Sequence, residues 1–192
     1  SSFMRSLSQR LRQADEELVV LYEVGKIIGA APPLQELLKK LLEHVMAGTK
    51  AGFGVFFYLN DISGKLEVKE AIGPGFDSVL DLKTNVNEGL AGAAISKNRV
   101  VTTNDLDTDP EFASLRRFGY ERKCMMIAPL CRQDTPFGAI LVANPCDACT
   151  FTAADLNLLQ AVASQAAAAV EASLFKSDSD AKAKYDRHFF QF

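Results

Sequence analysis

The chain has 192 residues, 48% of them hydrophobic and 23% charged, with a net charge of −3. That is the composition of a globular domain of about 150 residues with extensions. The acidic balance argues against nucleic-acid binding, which needs a basic face to displace counterions. No apolar run approaches the ~20 residues that cross a bilayer. The N-terminal SSFMRSLSQRLRQ lacks the apolar core of a secretory signal, so a cytoplasmic location is expected.

Met4, Leu7, Leu11, Ala14, Leu18, Leu21, Gly25 and Ile28 recur at alternating steps of three and four. This spacing predicts a long helix with a coiled-coil seam. Val20, Val24 and Ile27 add a second stripe, so the helix has one side for a partner helix and one for its own domain. Gly29 to Pro33 ends it, and Leu34, Leu37, Leu38, Leu41, Leu42, Val45 and Met46 mark a second helix. Strands follow at Phe53–Leu59 and Lys65–Ile72 around an Asn-Asp turn, with a weaker one at Ser78–Val86. Glu88-Gly89 then opens a short helix of small residues through Ser96, and β-branched Val100–Thr103 reads as a strand.

Asp105, Asp107 and Asp109-Pro110 form a turn-rich loop, and Glu111–Phe118 reads as a short helix. Lys123–Cys131 and Phe137–Ala143 form a hairpin whose strands are apolar on successive residues, so both faces of the sheet are covered. Thr152, followed by Asp155, starts the last helix with a near capping box, and Leu156, Leu159, Ala163, Ala166 and Val170 carry it forward. Ser177–Lys184 is polar and reads as frayed chain or linker. The expected fold is α+β: a six-stranded antiparallel sheet with the long N- and C-terminal helices on one face and short helices and loops on the other. The expected organisation is a signalling helix at 1–30, a central domain at 31–176 and a polar tail at 177–192.

The run EGLAGAAISKNRVVTTNDLDTDPEF (Glu88–Phe112) resembles the signature of GAF domains, a family of small-molecule sensor modules. The MMIAPL and GAILVAN strands and the closing FTAADLNLLQAVASQAAAAVEAS helix extend the resemblance over roughly Leu18 to Leu174. It implies a homodimer paired through the terminal helices. It also implies a relay to an output domain such as a histidine kinase or a diguanylate cyclase, as in bacterial two-component or cyclic-di-GMP signalling. Tyr185-Asp186-Arg187-His188-Phe189-Phe190 in turn resembles the opening phrase of diguanylate cyclase domains.

The resemblance leaves the ligand open and the cofactor unknown. Relatives that bind cyclic nucleotides carry Asn-Lys, Phe and Asp-Glu where this chain has Asn144-Pro145, Phe151 and Asp155-Leu156. Two charges of that motif are missing, which argues against such a ligand. Bilin attachment uses a Cys-His pair that is absent here. Haem needs an axial histidine, and His44 and His188 are poorly placed for the pocket.

A ligand in this fold would sit between the sheet and the short helices. The wall candidates are Phe56, Tyr58, Leu90, Ala94, Thr103, Phe112, Phe118, Met126 and Ala128, with Asp105 and Asp109 as polar lid residues. Each apolar member also reads as core, and each aspartate as a turn cap. The four cysteines read as reduced thiols. Cys124, Cys146 and Cys149 form a candidate cluster for oxidation or a metal, although one C-x-x-C with no second pair falls short of a zinc site. No catalytic motif is present: there is no G-x-S-x-G, Walker loop or H-E-x-x-H. The expected role is a non-enzymatic sensor. The alternatives are a structural dimerisation module without ligand, or a cysteine-based redox enzyme related to free methionine sulfoxide reductase.

Overall fold

The structure is a computed structural model that describes residues 2–75, 79–145 and 150–189. The chain order is α1 (Ser2–Gly29), α2 (Leu34–Thr49), β1 (Ala51–Asn60), β2 (Lys65–Ile72), β3 (Lys83–Asn85), α3 (Gly89–Ser96), β4 (Val101–Thr103), β5 (Met125–Arg132), β6 (Thr135–Pro145) and α4 (Ala153–Phe189). The strands form one antiparallel sheet in the order β3-β2-β1-β6-β5-β4. The α+β architecture expected from the sequence is the one observed.

Strand periodicity builds two cores, one on each side of the sheet. Phe56, Met126, Ile140 and Val142 face α1, α2 and α4, where they meet Leu38, Leu42, Leu159 and Val162. Val55, Phe57, Ile127 and Leu141 face the opposite, distal side, where α3 and the β4–β5 connection cover them. Each fully buried side chain of this size contributes roughly 1.5–3 kcal/mol, so the sheet is held from both sides.

Local signals set the boundaries. Lys50 leaves α2 in the left-handed conformation, with its N–H bonded to the Met46 carbonyl. At the start of α4 the Thr152 N–H donates to Asp155 Oδ2 at 2.8 Å, and the Asp155 N–H donates back to Thr152 Oγ1 at 3.3 Å. By length and composition α4 is apolar enough to cross a bilayer, which the sequence reading missed because short polar breaks interrupt the run. Its apolar side is the one seated on the sheet, through Leu158, Leu159, Val162, Ala163, Ala166 and Val170.

Three expected elements differ. The third strand shortens to Lys83–Asn85: Val79–Leu82 turns instead, with the Leu82 N–H on the Val79 carbonyl at 3.0 Å, and Val79 is drawn into the distal core. Ser78 lies outside the described residues. Glu111–Phe118 forms turns rather than a helix, and Phe112, Leu115 and Phe118 are drawn onto the distal core instead. The run from Ser177 continues α4 through to Phe189, because it contains no glycine or proline to stop it.

α1 and α4 run parallel. Val20 and Leu158 both lie over Gly48, Gln165 donates to the Leu21 carbonyl at 3.3 Å, and Ile28 shares a groove with Ala169 and Ala172. The first half of α1 projects beyond the domain at one end, and α4 beyond Leu174 projects at the other.

Candidate functional site

Leu90, Ala94, Thr103 and Phe112 are buried on the distal side of the sheet, and Phe118 packs against them. These five of the expected wall residues come together. Phe56, Tyr58, Met126 and Ala128 do not join them. They point to the helix side, because each sits one position from a distal-facing neighbour and strand parity reverses the face at every step. Asp105 and Asp109 serve as turn residues: the Asp105 carbonyl accepts the Asp109 N–H, and Asp109 Oδ1 accepts the Glu111 N–H at 3.0 Å.

The cover over the distal core is the β4–β5 connection, residues 104–123, which contains no helix or strand. Unstructured connections longer than about 12–15 residues are uncommon in compact domains, and many are functional lids. This one is fastened outside by ion pairs to the rest of the domain, Glu111 with Lys97 and Arg99 and Arg116 with Glu88, and Arg117 pairs with Asp107 within it. Inside, Tyr120 is 1% exposed. Its ring meets Phe57 edge-on, with centroids 5.0 Å apart and planes at 67°. Its hydroxyl accepts the Ala91 N–H at 3.1 Å, from 29 residues away.

That bond answers a local need of α3. Its N-cap residue Glu88 makes no side-chain cap, so the first-turn amides lack a local acceptor, and the Tyr120 oxygen supplies one. Gly89 permits the arrangement. Its φ is +67°, and a Cβ there would lie 3.0 Å from both the Tyr120 hydroxyl and the Phe118 ring. Burial, then the nearby Glu121 carboxylate, push the Tyr120 hydroxyl well above the ordinary phenol range, against the opposing pull of the Ala91 and Leu90 amides. It is neutral at physiological pH. The sequence reading passed over Tyr120.

Thr103 Oγ1 is buried and has no hydrogen-bond partner among the described residues. Thr103 lies two residues beyond distal-facing Val101 and opposite Met125, so its side chain belongs to the same core. The base of the lid is tied to α4. Asn104 Oδ1 accepts the Phe151 N–H at 2.8 Å, and Asn104 Nδ2 donates to the Phe151 carbonyl at 3.4 Å. Phe151 stands immediately before the Thr152 cap.

Cys124 is fully buried and disulfide-bonded, not the reduced thiol expected. Cys146 and Cys149 of the candidate cluster lie outside the described residues. Cys131 is a free thiol whose Sγ lies 3.1 Å from Asn98 Oδ1, and burial followed by the Asp134 charge raises its pKa. Among the described residues no three His, Cys, Asp or Glu side chains converge as metal ligands. His44 lies on α2, with Nδ1 2.8 Å from the Lys40 carbonyl.

At the far edge of the helix side, Glu67 accepts from Lys69 at 2.9 Å and Asn60 at 3.2 Å and pairs with Lys83 at 3.4 Å. Burial opposes ionisation of this carboxylate, but the two lysines outweigh it and hold its pKa below the ordinary value. A depressed folded pKa stabilises the fold above the unfolded value, and that stabilisation disappears as pH falls through the folded one. Glu67→Gln is therefore expected to flatten the acid side of the stability profile, read by urea unfolding between roughly pH 6 and 3. Parallel profiles for variant and parent would refute the assignment.

An antiparallel sheet with parallel terminal helices on one face and a lidded small-residue helix on the other defines the class of α+β module to which the chain belongs. The GAF domain family matches residues 31–171, and the chain belongs to that family. Over 101 residues it is 28% identical to the Nif-specific regulatory protein of Herbaspirillum seropedicae, a match covering 53% of this chain and 18% of that protein. The GAF domain of a phosphoenolpyruvate-protein phosphotransferase from Coxiella burnetii superimposes with a TM-score of 0.74 at 20% identity, covering 86% of this chain and 98% of that one. The free methionine-R-sulfoxide reductase of Neisseria meningitidis, solved with its substrate, gives 0.67 at 16% identity, covering 82% and 89%. At such identities these structures share the fold alone.

Proposed function

We propose that the chain is a regulatory sensor module of a cytoplasmic signalling protein. A small ligand or a redox event on the distal side shifts the lid, and the shift passes through dimeric helices to an output domain, such as a histidine kinase or a diguanylate cyclase. The observation that carries this reading is the two-way Asn104–Phe151 hydrogen bond. It joins the first residue of the lid to the residue before the Thr152 cap of α4, so a displaced lid and a seated α4 are energetically linked. The regulatory relative supports the reading, and so do helices that project from opposite ends of the domain. The disulfide at Cys124 leaves room for the redox branch.

Dimerisation rests on the seam. Leu11 and Leu18 are 59% and 64% exposed, and Met4 is 64% exposed, on a helix whose other side is already seated through Val24. Two copies would bury this stripe against each other. Leu11→Glu/Leu18→Glu places like charges in the seam and is expected to weaken self-association by at least about 100-fold in sedimentation equilibrium. A parent chain that sediments as a monomer at tens of micromolar would end the dimer reading.

A second reading is favoured by the depth at which Tyr120 and Phe112 fill the distal core: a dimerisation spacer whose ligand site is permanently closed. Native mass spectrometry of the purified chain separates the two, because the sensor retains or admits a small molecule and the spacer does not. The enzymatic alternative, reduction of free methionine sulfoxide, has only a likeness of fold behind it and is tested by direct assay.

A further inference from the structure

α1 stops at Gly29 while the parallel α4 runs on to Phe189, so α4 loses a neighbour part-way along its length. The stripe that seats α4 on the sheet, Val162 and Ala166, continues at helical spacing through Ala169, Ser173, Lys176, Asp180 and Lys184. Past the end of α1 a groove of about 860 Å³ remains between this stripe and the α1–α2 connection. That volume lies within the range of small-molecule sites, about 300–1,000 Å³.

The two ends of the groove differ. The inner end is aliphatic: Leu37 is buried, Ile28, Leu34 and Ala169 are half-buried, and Ala172 follows further out along α4. The outer end carries Lys176, Asp180 and Lys184, two ammonium groups against one carboxylate. Among the described residues neither Lys176 nor Lys184 forms an ion pair, whereas Lys39 and Lys40 on α2 pair with Glu43 and Glu36. Among the described residues no aromatic side chain lines the groove, which suits a flexible chain better than a flat ring. The wall opposite α4 is preformed. Ala31 has a φ of +46°, in the left-handed region that L side chains rarely adopt, and its N–H donates to the Ile28 carbonyl at 3.0 Å. Pro32 and Pro33 fix φ at the next two positions, so the connection holds its shape rather than settling into the groove.

We propose that this helix-side groove is a binding site for a free medium-chain carboxylate. The alkyl chain lies on Ile28, Leu34, Leu37 and Ala169, and the Lys176 and Lys184 ammonium groups hold the carboxylate at the outer end. Each buried methylene favours the complex, and charge complementarity sets which way round the ligand lies. The net charge of −3 does not draw the chain to an anionic bilayer, which favours the free anion over the same chemistry in a membrane. The site lies across the sheet from the lid and does not depend on the distal reading. A bound ligand bridges the α1–α2 corner and α4 close to where α4 leaves the domain, and so stiffens the exit of that helix.

The test uses the intact chain with sodium decanoate as the probe. Calorimetry is expected to show saturable one-to-one binding. The amide resonances of Ile28 and Ala172 should be displaced, and that of Ala91, on the distal side, should not move. Hexanoate is expected to bind at least tenfold more weakly, since it buries less chain. Lys176→Glu/Lys184→Glu replaces two exposed residues and is expected to weaken decanoate about tenfold. Binding of neutral decanol should stay within about twofold of the parent, a split that general damage to the helix would not give. Ala172→Trp fills the groove from an exposed position and is expected to abolish binding of both. A parent with no saturable decanoate binding, a displaced Ala91 amide in place of Ile28 and Ala172, or an affinity indifferent to the lysine reversal overturns the inference. Preference for phosphatidylglycerol vesicles over free decanoate overturns it in favour of a lipid surface. Self-association that Ala172→Trp abolishes, with no decanoate binding, assigns the groove to a second copy instead. None of these outcomes bears on the distal sensor reading, which stands or falls by the molecule retained there.

Discussion

Gly92→Ala is expected to destabilise the protein by about 2–3 kcal/mol, at the upper end for one added methyl group. A Cβ at position 92 would lie 2.6 Å from the Val86 carbonyl oxygen, 3.1 Å from the Val86 carbonyl carbon and 3.4 Å from the Asn85 oxygen. All three are backbone atoms, so no rotamer change can clear them. α3 or the β3–α3 turn must move bodily, and α3 carries the amides that hold Tyr120. Thermal unfolding is expected to fall by roughly 5–10 °C, with faster exchange at Ala91 before global unfolding. Alanine at Ser96, exposed at the other end of the same helix, is the control and should change little. A Gly92→Ala protein as stable as its parent would mean that α3 does not rest on that turn.

The sequence revealed most of the fold through its periodicities. Successive apolar residues in FGVFFYL, MMIAPL and GAILVAN mark central strands covered on both sides, and the three-and-four spacing of Leu34–Met46 fixes α2. Legibility failed where two rules competed. In Glu111–Phe118 the spacing of Phe112, Leu115 and Phe118 is helical, yet the sheet beneath them provides more burial than one isolated turn of helix. At the site, parity on β1 and β5 decided which of the expected wall residues share the distal face. A reading that places Phe56 rather than Phe57 on the distal side is wrong by one position, and the apolar character of both residues hides the error. Tyr120 was invisible for a different reason. Its partners, Phe57 and Ala91, lie far off in sequence, and no local pattern reports a cap delivered across 29 residues.

The two cores are similarly packed but should differ in what they control, and a matched pair of cavities tests that. Phe57 is 1% exposed on the distal side, and Leu159 is fully buried on the helix side. Truncation to alanine is expected to cost about 3–5 kcal/mol at Phe57 and about 2–5 kcal/mol at Leu159, from lost transfer energy and the cavity left behind. The local consequences diverge. Phe57→Ala removes the ring that Tyr120 meets edge-on, so the lid loses its deepest contact. Exchange should rise first at Ala91 and along 104–123, while the helices stay seated. Leu159→Ala loosens α4 against β5 and α2, so the damage should appear in α1 and α4, and with it any self-association that depends on their alignment. Hydrogen exchange read residue by residue, beside sedimentation of both variants, distinguishes these patterns. If the two substitutions protect and expose the same amides, the faces behave as one cooperative unit, and a lid that opens without disturbing the helices is excluded. If they separate, the Asn104–Phe151 bond is the narrow bridge between them. Asn104→Ala should then uncouple the lid from α4 while leaving each core intact.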